Sequence, residues 1–461
     1  MSIRGRSGRD SVPGGVACIA LFEPHRTVRR MSGYSEIAGA TLHSYYDRPP
    51  FEELTMPHHI PPHLSYASYP SPSPSALHTT REMFHTLKFL LSTLLLPYTF
   101  LQHHLPCPQP TYYLPSERSP HLRTLMAWPS QNSTNNLPDL FLAQREFALI
   151  ANAIAKYEPV WLYTPPSNRL IAADLVSENV EIVLLETAEM WLRDTGPIFV
   201  EIDDGKPGPR RQVGIDFNLN YWGDERSKGA QRVARKQLEA VRIERIQASS
   251  YLAGGAIDSD GQGTLLATKS SIINENRNPN KSQTEIEEEL RALLGVTKII
   301  WLPGSKDAAH VDSLARFGPD SRTVIMSRPN EAVPRDSWRW RVYKETHDVL
   351  SSATNAAGYR FTIVEIEEAL TVPRAGDWSR EQCPVLEGFE GGVVTNYVGF
   401  YLVNGGIVVP QFGEEKTDRE AVEGLQRLSP GRVVETVRLD WMAYAGGGPY
   451  RATVGWPVPG G

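Results

Sequence analysis

The sequence predicts an α/β fold over residues 112–461. Five times in this part of the chain, a run with a helical hydrophobic period is followed by a short apolar run typical of a strand. Further apolar strands lie between these pairs, which argues against the strict alternation of a doubly wound sheet. Periodicity alone leaves two arrangements open: a repeated module of several strands and one helix, or two ordinary α/β domains of about 175 residues each.

Each of the five pairs joins an amphipathic run to a strand-like run. In the third pair, apolar residues from Ile286 to Leu294 recur at the spacing of one helix face, and Gly295 follows at the position of a C′ glycine. The predicted helices and the strands that follow them are 141–157 with 160–163, 228–241 with 242–246, 284–294 with 297–302, 338–357 with 359–366, and 418–428 with 433–437.

Additional strands are predicted where short apolar runs lie outside these pairs. Asn404 and Gly405 supply the chemistry of a two-residue turn, so the runs on either side of them predict a β-hairpin. The additional strands are expected at 180–186, 197–201, 264–268, 323–326, 397–402 and 406–410.

The N-terminal part differs in composition from the rest. Residues 1–82 are predicted to be disordered, because the stretch 47–80 mixes eight prolines with serine, histidine and tyrosine. Residues 83–111 contain an apolar run, interrupted by Pro97, that is too short for a stable membrane span and typical of a secretory signal. If Met83 is the true start, the protein is secreted and residues 1–82 are a mistaken extension. Otherwise the protein is cytoplasmic, and the run is a short buried or interfacial helix.

Composition excludes several classes of function. The 461 residues are 41% hydrophobic and 22% charged, with a net charge of −6, which leaves no basic surplus for binding a nucleic acid. The three cysteines are Cys18, Cys107 and Cys383, so neither a disulfide framework nor a zinc site is predicted. The sequence also lacks a phosphate-binding loop, and we expect no cofactor and no metal.

Three segments combine charged residues with glycine or aromatic residues. Asp194 follows Arg193 in a predicted loop, where its carboxylate either receives a cation or pairs with Arg193 to shape a turn. His310 and Asp312 are predicted to share one strand face, where the carboxylate would raise the pKa of the imidazole; an exposed polar face is the alternative. The segment 445–453 contains three consecutive glycines and is either a ligand loop or a flexible tail.

Short motifs follow one another over most of the chain. They are 115–129, 191–197, 254–258, 274–279, 310–312, 404–413 and 418–421. In order and spacing they resemble the agmatine deiminase and bacterial-type peptidyl-arginine deiminase family. This resemblance implies the pentein fold, an α/β propeller of five pseudo-symmetric ββαβ modules around a central channel that holds the active site.

The resemblance also implies a chemistry without a metal. Such enzymes hydrolyse agmatine to N-carbamoylputrescine and ammonia, or peptidyl-arginine to citrulline. Asp194 and Asp312 would hold the planar guanidinium, with Trp128 and Arg193 also at the substrate. His310 would transfer protons, and a cysteine thiolate would attack the guanidinium carbon. The expected partner is a small guanidine or peptidyl-arginine and not a nucleic acid; the oligomeric state is not predicted.

The C-terminal motif departs from the family at the nucleophile. The family has two glycines, any residue, isoleucine, histidine and cysteine, whereas this chain reads Gly446-Gly-Gly-Pro-Tyr-Arg451. Arg451 therefore stands at the cysteine position and Tyr450 at the preceding histidine. A guanidinium offers no lone pair, so Arg451 cannot act as the nucleophile. Because it would place a guanidinium among carboxylates that bind one, we predict that Arg451 pairs with Asp194 or Asp312 and occupies the substrate site. The alternative function is a catalytically inactive pentein or a protein that binds a cationic ligand.

Overall fold

The computed structural model describes residues 110–131, 139–187, 189–205, 208–221, 229, 231–305, 310–370 and 394–460. The predictions for residues 1–82 and for the signal-like run after Met83 lie outside these residues, as do all three cysteines. Within the described part of the chain, none of the helices has the length and apolar character that crossing a membrane requires.

The described strands form five separate mixed sheets. Their orders are β1-β5-β6-β7, β10-β9-β8, β11-β12-β13, β14-β15-β16 and β17-β2-β3-β4. The strands are β1 Thr111–Tyr113, β2 His121–Ala127, β3 Val160–Thr164, β4 Val180–Leu184, β5 Ile198–Asp203, β6 Arg211–Asp216, β7 Glu244–Gln247, β8 Ile257–Ser259, β9 Thr264–Thr268, β10 Lys298–Leu302, β11 Ala315–Phe317, β12 Thr323–Arg328, β13 Thr362–Glu367, β14 Tyr401–Val403, β15 Gly406–Gln411, β16 Val433–Arg438 and β17 Thr453–Pro457.

Helices connect the parallel strands within these sheets. In every sheet one strand has an antiparallel neighbour on one side and a parallel neighbour on the other, and a helix joins the parallel pair because parallel strands need a long crossover. The helices are α1 Leu140–Ile154, α2 Arg169–Leu175, α3 Leu192–Thr195, α4 Val233–Val241, α5 Lys269–Ile272, α6 Gln283–Leu294, α7 Trp338–Ser352, α8 Glu415–Leu428, α9 Trp441–Tyr444 and α10 Pro449–Ala452, with 3-10 turns at Pro166–Asn168, Gly254–Ala256, Val311–Ser313 and Tyr397–Gly399.

Helix α6 shows how the sequence sets the ends of an element. Ser282 and Glu285 form a capping box, in which each side chain accepts the backbone N–H of the other, at 3.2 and 2.8 Å. Gly295 ends the helix in the left-handed region at φ +66°, as predicted for a C′ glycine. The apolar face between these ends is buried against β1 and its sheet.

The predicted α/β class is confirmed, and the five helix–strand pairs are present with shifted ends. The fourth helix ends at Ser352, five residues before its predicted end, and residues Tyr397–Gly399 form a 3-10 turn before the hairpin of β14 and β15. Strands β1, β6, β8 and β17 are among those that were not predicted. Strand β8 has only three residues, β6 is half polar, and β17 contains a glycine and a proline, so none shows a clear two-residue period.

The C-terminal segment belongs to the core. Strand β17 pairs antiparallel with β2, with Thr453 opposite Met126, and Tyr450 and Ala452 just before it are buried. The flexible-tail alternative for residues 445–453 is therefore wrong. Because Thr453 pairs with β2, the backbone just after residue 451 is held in place. This restricts the direction in which the side chain of residue 451 projects.

We expect Gly295→Ala to lower the free energy of unfolding by about 3 kcal/mol. An added Cβ would overlap the carbonyl oxygen of Tyr112, and the left-handed backbone adds its own strain. The matched control is Gly358→Ala, since Gly358 has φ +86° with nothing within 4 Å, so only the backbone strain of about 1 kcal/mol applies. Urea denaturation measures both changes; equal losses would mean that the contact with Tyr112 does not constrain the helix end.

Candidate active site

Three predicted site residues converge on one glycine. A Cβ on Gly255 would lie 2.8 Å from Asp194 Oδ1, 2.8 Å from Asp312 Oδ2 and 3.0 Å from His310 Nδ1. The Gly255 N–H donates to Asp194 Oδ1 at 3.2 Å. Position 255 must therefore lack a side chain, because any other residue would push these three groups apart.

The local structure around these groups differs from the prediction in two places. Asp194 lies in the short helix α3 and not in a loop. His310 has an extended backbone, but Val311–Ser313 turn into a 3-10 helix, so the prediction that His310 and Asp312 share one face of a strand is wrong. Strand pairing in this sheet begins only at Ala315, opposite Met326, so Val311–Ser313 lie before the strand.

Arg451 lies directly against the two carboxylates. Its Nη2 donates to Asp312 Oδ1 at 2.7 Å and its Nε to Asp312 Oδ2 at 3.3 Å, which is a side-on bidentate pair. The same Nε lies 3.9 Å from Asp194 Oδ2. Its remaining donors reach the Gly446 carbonyl oxygen and, at 3.4 Å, Ser313 Oγ. The predicted pairing of Arg451 with the carboxylates is thus present.

The electrostatics of the site follow from burial and from this guanidinium. Burial acts to raise the pKa of Asp312, but the charge of Arg451 and the His310 imidazole outweigh it, so the pKa lies below its ordinary value. Burial lowers the pKa of His310; Asp194, with Oδ1 3.5 Å from Nδ1, opposes this shift, and Arg451 adds to it. The net shift of the imidazole pKa is downward, so the expected upward shift is wrong.

Arg193 pairs with a residue far away in the sequence. Its Nη1 and Nη2 donate to Glu117 Oε1 and Oε2 at 2.6 and 3.0 Å. The alternative that Arg193 pairs with Asp194 to shape a turn is therefore wrong. Trp128, the other predicted substrate contact, is completely buried in the core cluster that contains Phe147 and Tyr450.

Tyr450 lies between two guanidinium groups. The Cζ atom of Arg193 is 3.9 Å from the centre of its ring, and that of Arg316 is 3.6 Å. Arg316 is itself paired with Asp258, at 3.1 Å from Nε to Oδ1. The sequence did not indicate this cluster, because Glu117, Arg193, Asp258 and Arg316 are brought together only by the fold. The motifs at 115–129, 191–197 and 254–258 contain three of these four residues but do not indicate that they meet.

The three glycines before Pro449 let the chain pass close to the site. Gly446 has φ +85°, which favours glycine. A Cβ on Gly447 would overlap the ring of Trp191, three residues before Asp194. The glycine loop therefore packs directly on the segment that carries one of the two carboxylates.

Comparison with known proteins identifies the family. Residues 113–457 match the model of the Porphyromonas-type peptidyl-arginine deiminase. The chain belongs to this family. Members of this deiminase family are C–N hydrolases that act on guanidino groups.

Several relatives of this deiminase family are similar along most of their length. The agmatine deiminase of Medicago truncatula is 31% identical over 339 residues, which are 69% of this chain and 89% of that protein. The agmatine deiminase of Stutzerimonas stutzeri is 32% identical over 371 residues, 76% of this chain and 97% of that protein. The solved structure of the Enterococcus faecalis agmatine deiminase superposes with a TM-score of 0.66 at 25% identity, covering 75% of this chain and 96% of that one. These likenesses place the chain among proteins of the pentein fold.

A double-mutant cycle tests the buried ion pair. Arg451→Met leaves the Asp312 carboxylate buried without a cation, and Asp312→Asn leaves the guanidinium without its anion. We expect each change to lower the free energy of unfolding by about 3 kcal/mol, and the double variant to cost at least about 1 kcal/mol less than the sum. Urea denaturation measures all three. Simply additive losses would contradict the pairing.

Two controls accompany the cycle. Arg419→Met removes an exposed pair with Glu415, whose atoms are 3.6 Å apart, and should not change stability measurably. The second control is the pH dependence of the coupling energy between Arg451 and Asp312. Because the folded-state pKa of Asp312 is lowered below 3.8, its contribution is present above pH 3.8 and is lost as the pH falls through the folded-state value. The coupling energy should therefore persist at pH 5 and decline only below pH 3.8.

Proposed function

We propose that Asp194, His310 and Asp312 form the guanidinium site of an agmatine-type deiminase, in a channel at the centre of five ββαβ modules. We further propose that in this chain the guanidinium of Arg451 occupies that site and blocks turnover. The observation that carries the proposal is the bidentate contact of Arg451 with Asp312, at 2.7 and 3.3 Å, beside Asp194 at 3.9 Å. One planar guanidinium between two carboxylates is the geometry that a guanidine substrate would adopt.

The residues of the site suit the two halves of guanidine hydrolysis. Asp194 and Asp312 would bind the delocalised charge and orient the guanidinium carbon toward residue 451. In the first half a cysteine thiol would give its proton to His310, and the resulting thiolate would add to that carbon; the C–N bond then breaks, and ammonia leaves with the proton that His310 received. In the second half water adds to the same carbon, His310 takes the proton from the water, and the C–S bond breaks to release a ureido product.

Agmatine is the substrate class that we favour for the ancestral site. The relatives from Medicago truncatula and Stutzerimonas stutzeri carry the name agmatine deiminase, and they are matched over most of their length. Peptidyl-arginine is the alternative, since the matching family model carries that name. Both substrates present the same guanidinium to Asp194 and Asp312.

This chain lacks the thiol where the mechanism needs it. Position 451 holds a guanidinium without a free electron pair, and the described residues include no cysteine. Binding of an external cation is less favoured than self-occupation, because Arg451 already takes both oxygens of Asp312. The protein is therefore proposed to be an inactive deiminase whose guanidinium site is filled from within.

Restoring the two family residues should restore turnover. We expect Tyr450→His with Arg451→Cys to convert agmatine to a ureido product and ammonia, and the native chain to give neither. The matched control adds Asp312→Asn to the double variant, which should abolish turnover because one half of the guanidinium clamp loses its charge. Colorimetric detection of the ureido product measures all three proteins; product from the native chain would contradict the proposal.

A further inference from the structure

A buried carboxylate outside the site holds the chain segment that leads to it. Glu146 lies on α1 and is only 6% exposed. Its Oε1 accepts the backbone N–H of Asp440 at 2.8 Å and of Trp441 at 2.7 Å, and its Oε2 accepts that of Met442 at 2.8 Å. Three N–H donors on one carboxylate form a strong, charge-assisted attachment of the backbone.

The attached backbone continues directly into the site loop. Helix α9 begins at Trp441, and the N–H of Ala445 donates to the Trp441 carbonyl oxygen at 2.9 Å. The N–H of Gly447 donates to the Met442 carbonyl oxygen, also at 2.9 Å. The Gly446 carbonyl oxygen in turn accepts a hydrogen bond from Arg451 Nη1. Hydrogen bonds and the short backbone stretches between them thus link Glu146 to the guanidinium of Arg451.

The loop needs an attachment of this kind because of its composition. Three consecutive glycines, 446–448, lose more conformational freedom on ordering than any other residues would. The contact of Gly447 with the Trp191 ring restrains one side of the loop. The backbone at 440–442 is its N-terminal attachment, and Glu146 accepts all three N–H groups there.

We propose that Glu146 is a positioning residue: its carboxylate fixes the loop 445–448, and through that loop it holds residue 451 against Asp312. The proposal rests on the proposed guanidinium site for its functional meaning. Asp440 does not compete for the same role, because its own carboxylate is bound by Arg438 Nε and Nη2 at 2.7 and 2.6 Å. Glu146 acts through the backbone and does not touch the reacting atoms.

Amide hydrogen exchange on the native background tests the positioning role directly. Glu146→Gln keeps the size of the side chain but presents an amide group to backbone N–H donors. Burial raises the pKa of Glu146 to about 7, so the experiment is run at pH 8, where the native carboxylate is ionised. We expect exchange at Ala445 and Gly447, whose N–H groups do not bond to Glu146, to become at least about tenfold faster.

The matched control is Glu158→Gln. Glu158 is equally buried, at 4% exposed, and accepts the backbone N–H of Asn404 at 2.7 Å, but it bonds to no residue of the loop. Its substitution should leave exchange at Ala445 and Gly447 unchanged. Unchanged exchange at both residues in folded Glu146→Gln would overturn the proposal. If that variant does not fold, Glu146→Asp, which keeps the charge on a shorter side chain, is measured with the same criterion.

Kinetics in the reactivated protein provide a second readout. In the Tyr450→His, Arg451→Cys background, Glu146→Gln should lower kcat for agmatine at least about tenfold while KM changes much less, because the clamp of Asp194 and Asp312 stays intact. Glu158→Gln should change neither constant. An unaltered kcat would count against the positioning role. Failure of the background protein itself to turn over would contradict the proposed function, and the exchange experiment on the native chain would still decide the role of Glu146.

Discussion

The structure around the site depends on the pairing of two carboxylates with the guanidinium of Arg451. Asp194 and Asp312 approach each other around Gly255, with the imidazole of His310 beside them. Burying two carboxylates so close together is costly unless a cation shares the space. Arg451 supplies that cation from within the chain, and its guanidinium contacts both carboxylates. The charge of residue 451 therefore balances that of the two carboxylates.

Tyr450 and Arg451, where we expect the C-terminal motif to depart from the family, are held by different interactions. The guanidinium of Arg451 is held by carboxylates that suit this group, while the ring of Tyr450 is held between Arg193 and Arg316. Both arginines have carboxylate partners of their own, so the tyrosine is surrounded by charges that are already compensated. Residues 450 and 451 thus both fit the packing and the charges of the groups around them.

The spacing and register of residues in the sequence predicted helix α6 and the Arg451–Asp312 contact, but not the turn after His310 or the ion pairs between distant residues. The α6 helix and its glycine end follow from spacing alone, and the contact of Arg451 with Asp312 follows from motif register and opposite charge. The 3-10 turn after His310 was not predictable, because a His-x-Asp segment is equally compatible with a strand. The pairs of Arg193 with Glu117 and of Arg316 with Asp258 join residues far apart in the sequence, and no single-sequence period records them. Likewise, residues 453–457 form strand β17 because they pair with β2, which no local pattern indicated.

The most direct test of self-occupation is calorimetric titration of agmatine into the native protein and into Arg451→Ala. Putrescine, which has the same carbon chain without the guanidinium, serves as the matched ligand. We expect Arg451→Ala to bind agmatine at least about 100-fold more tightly than the native protein does, and to bind putrescine far more weakly than agmatine. Equal agmatine affinity in the two proteins would contradict the claim that the side chain of Arg451 stands in the place of a guanidine substrate.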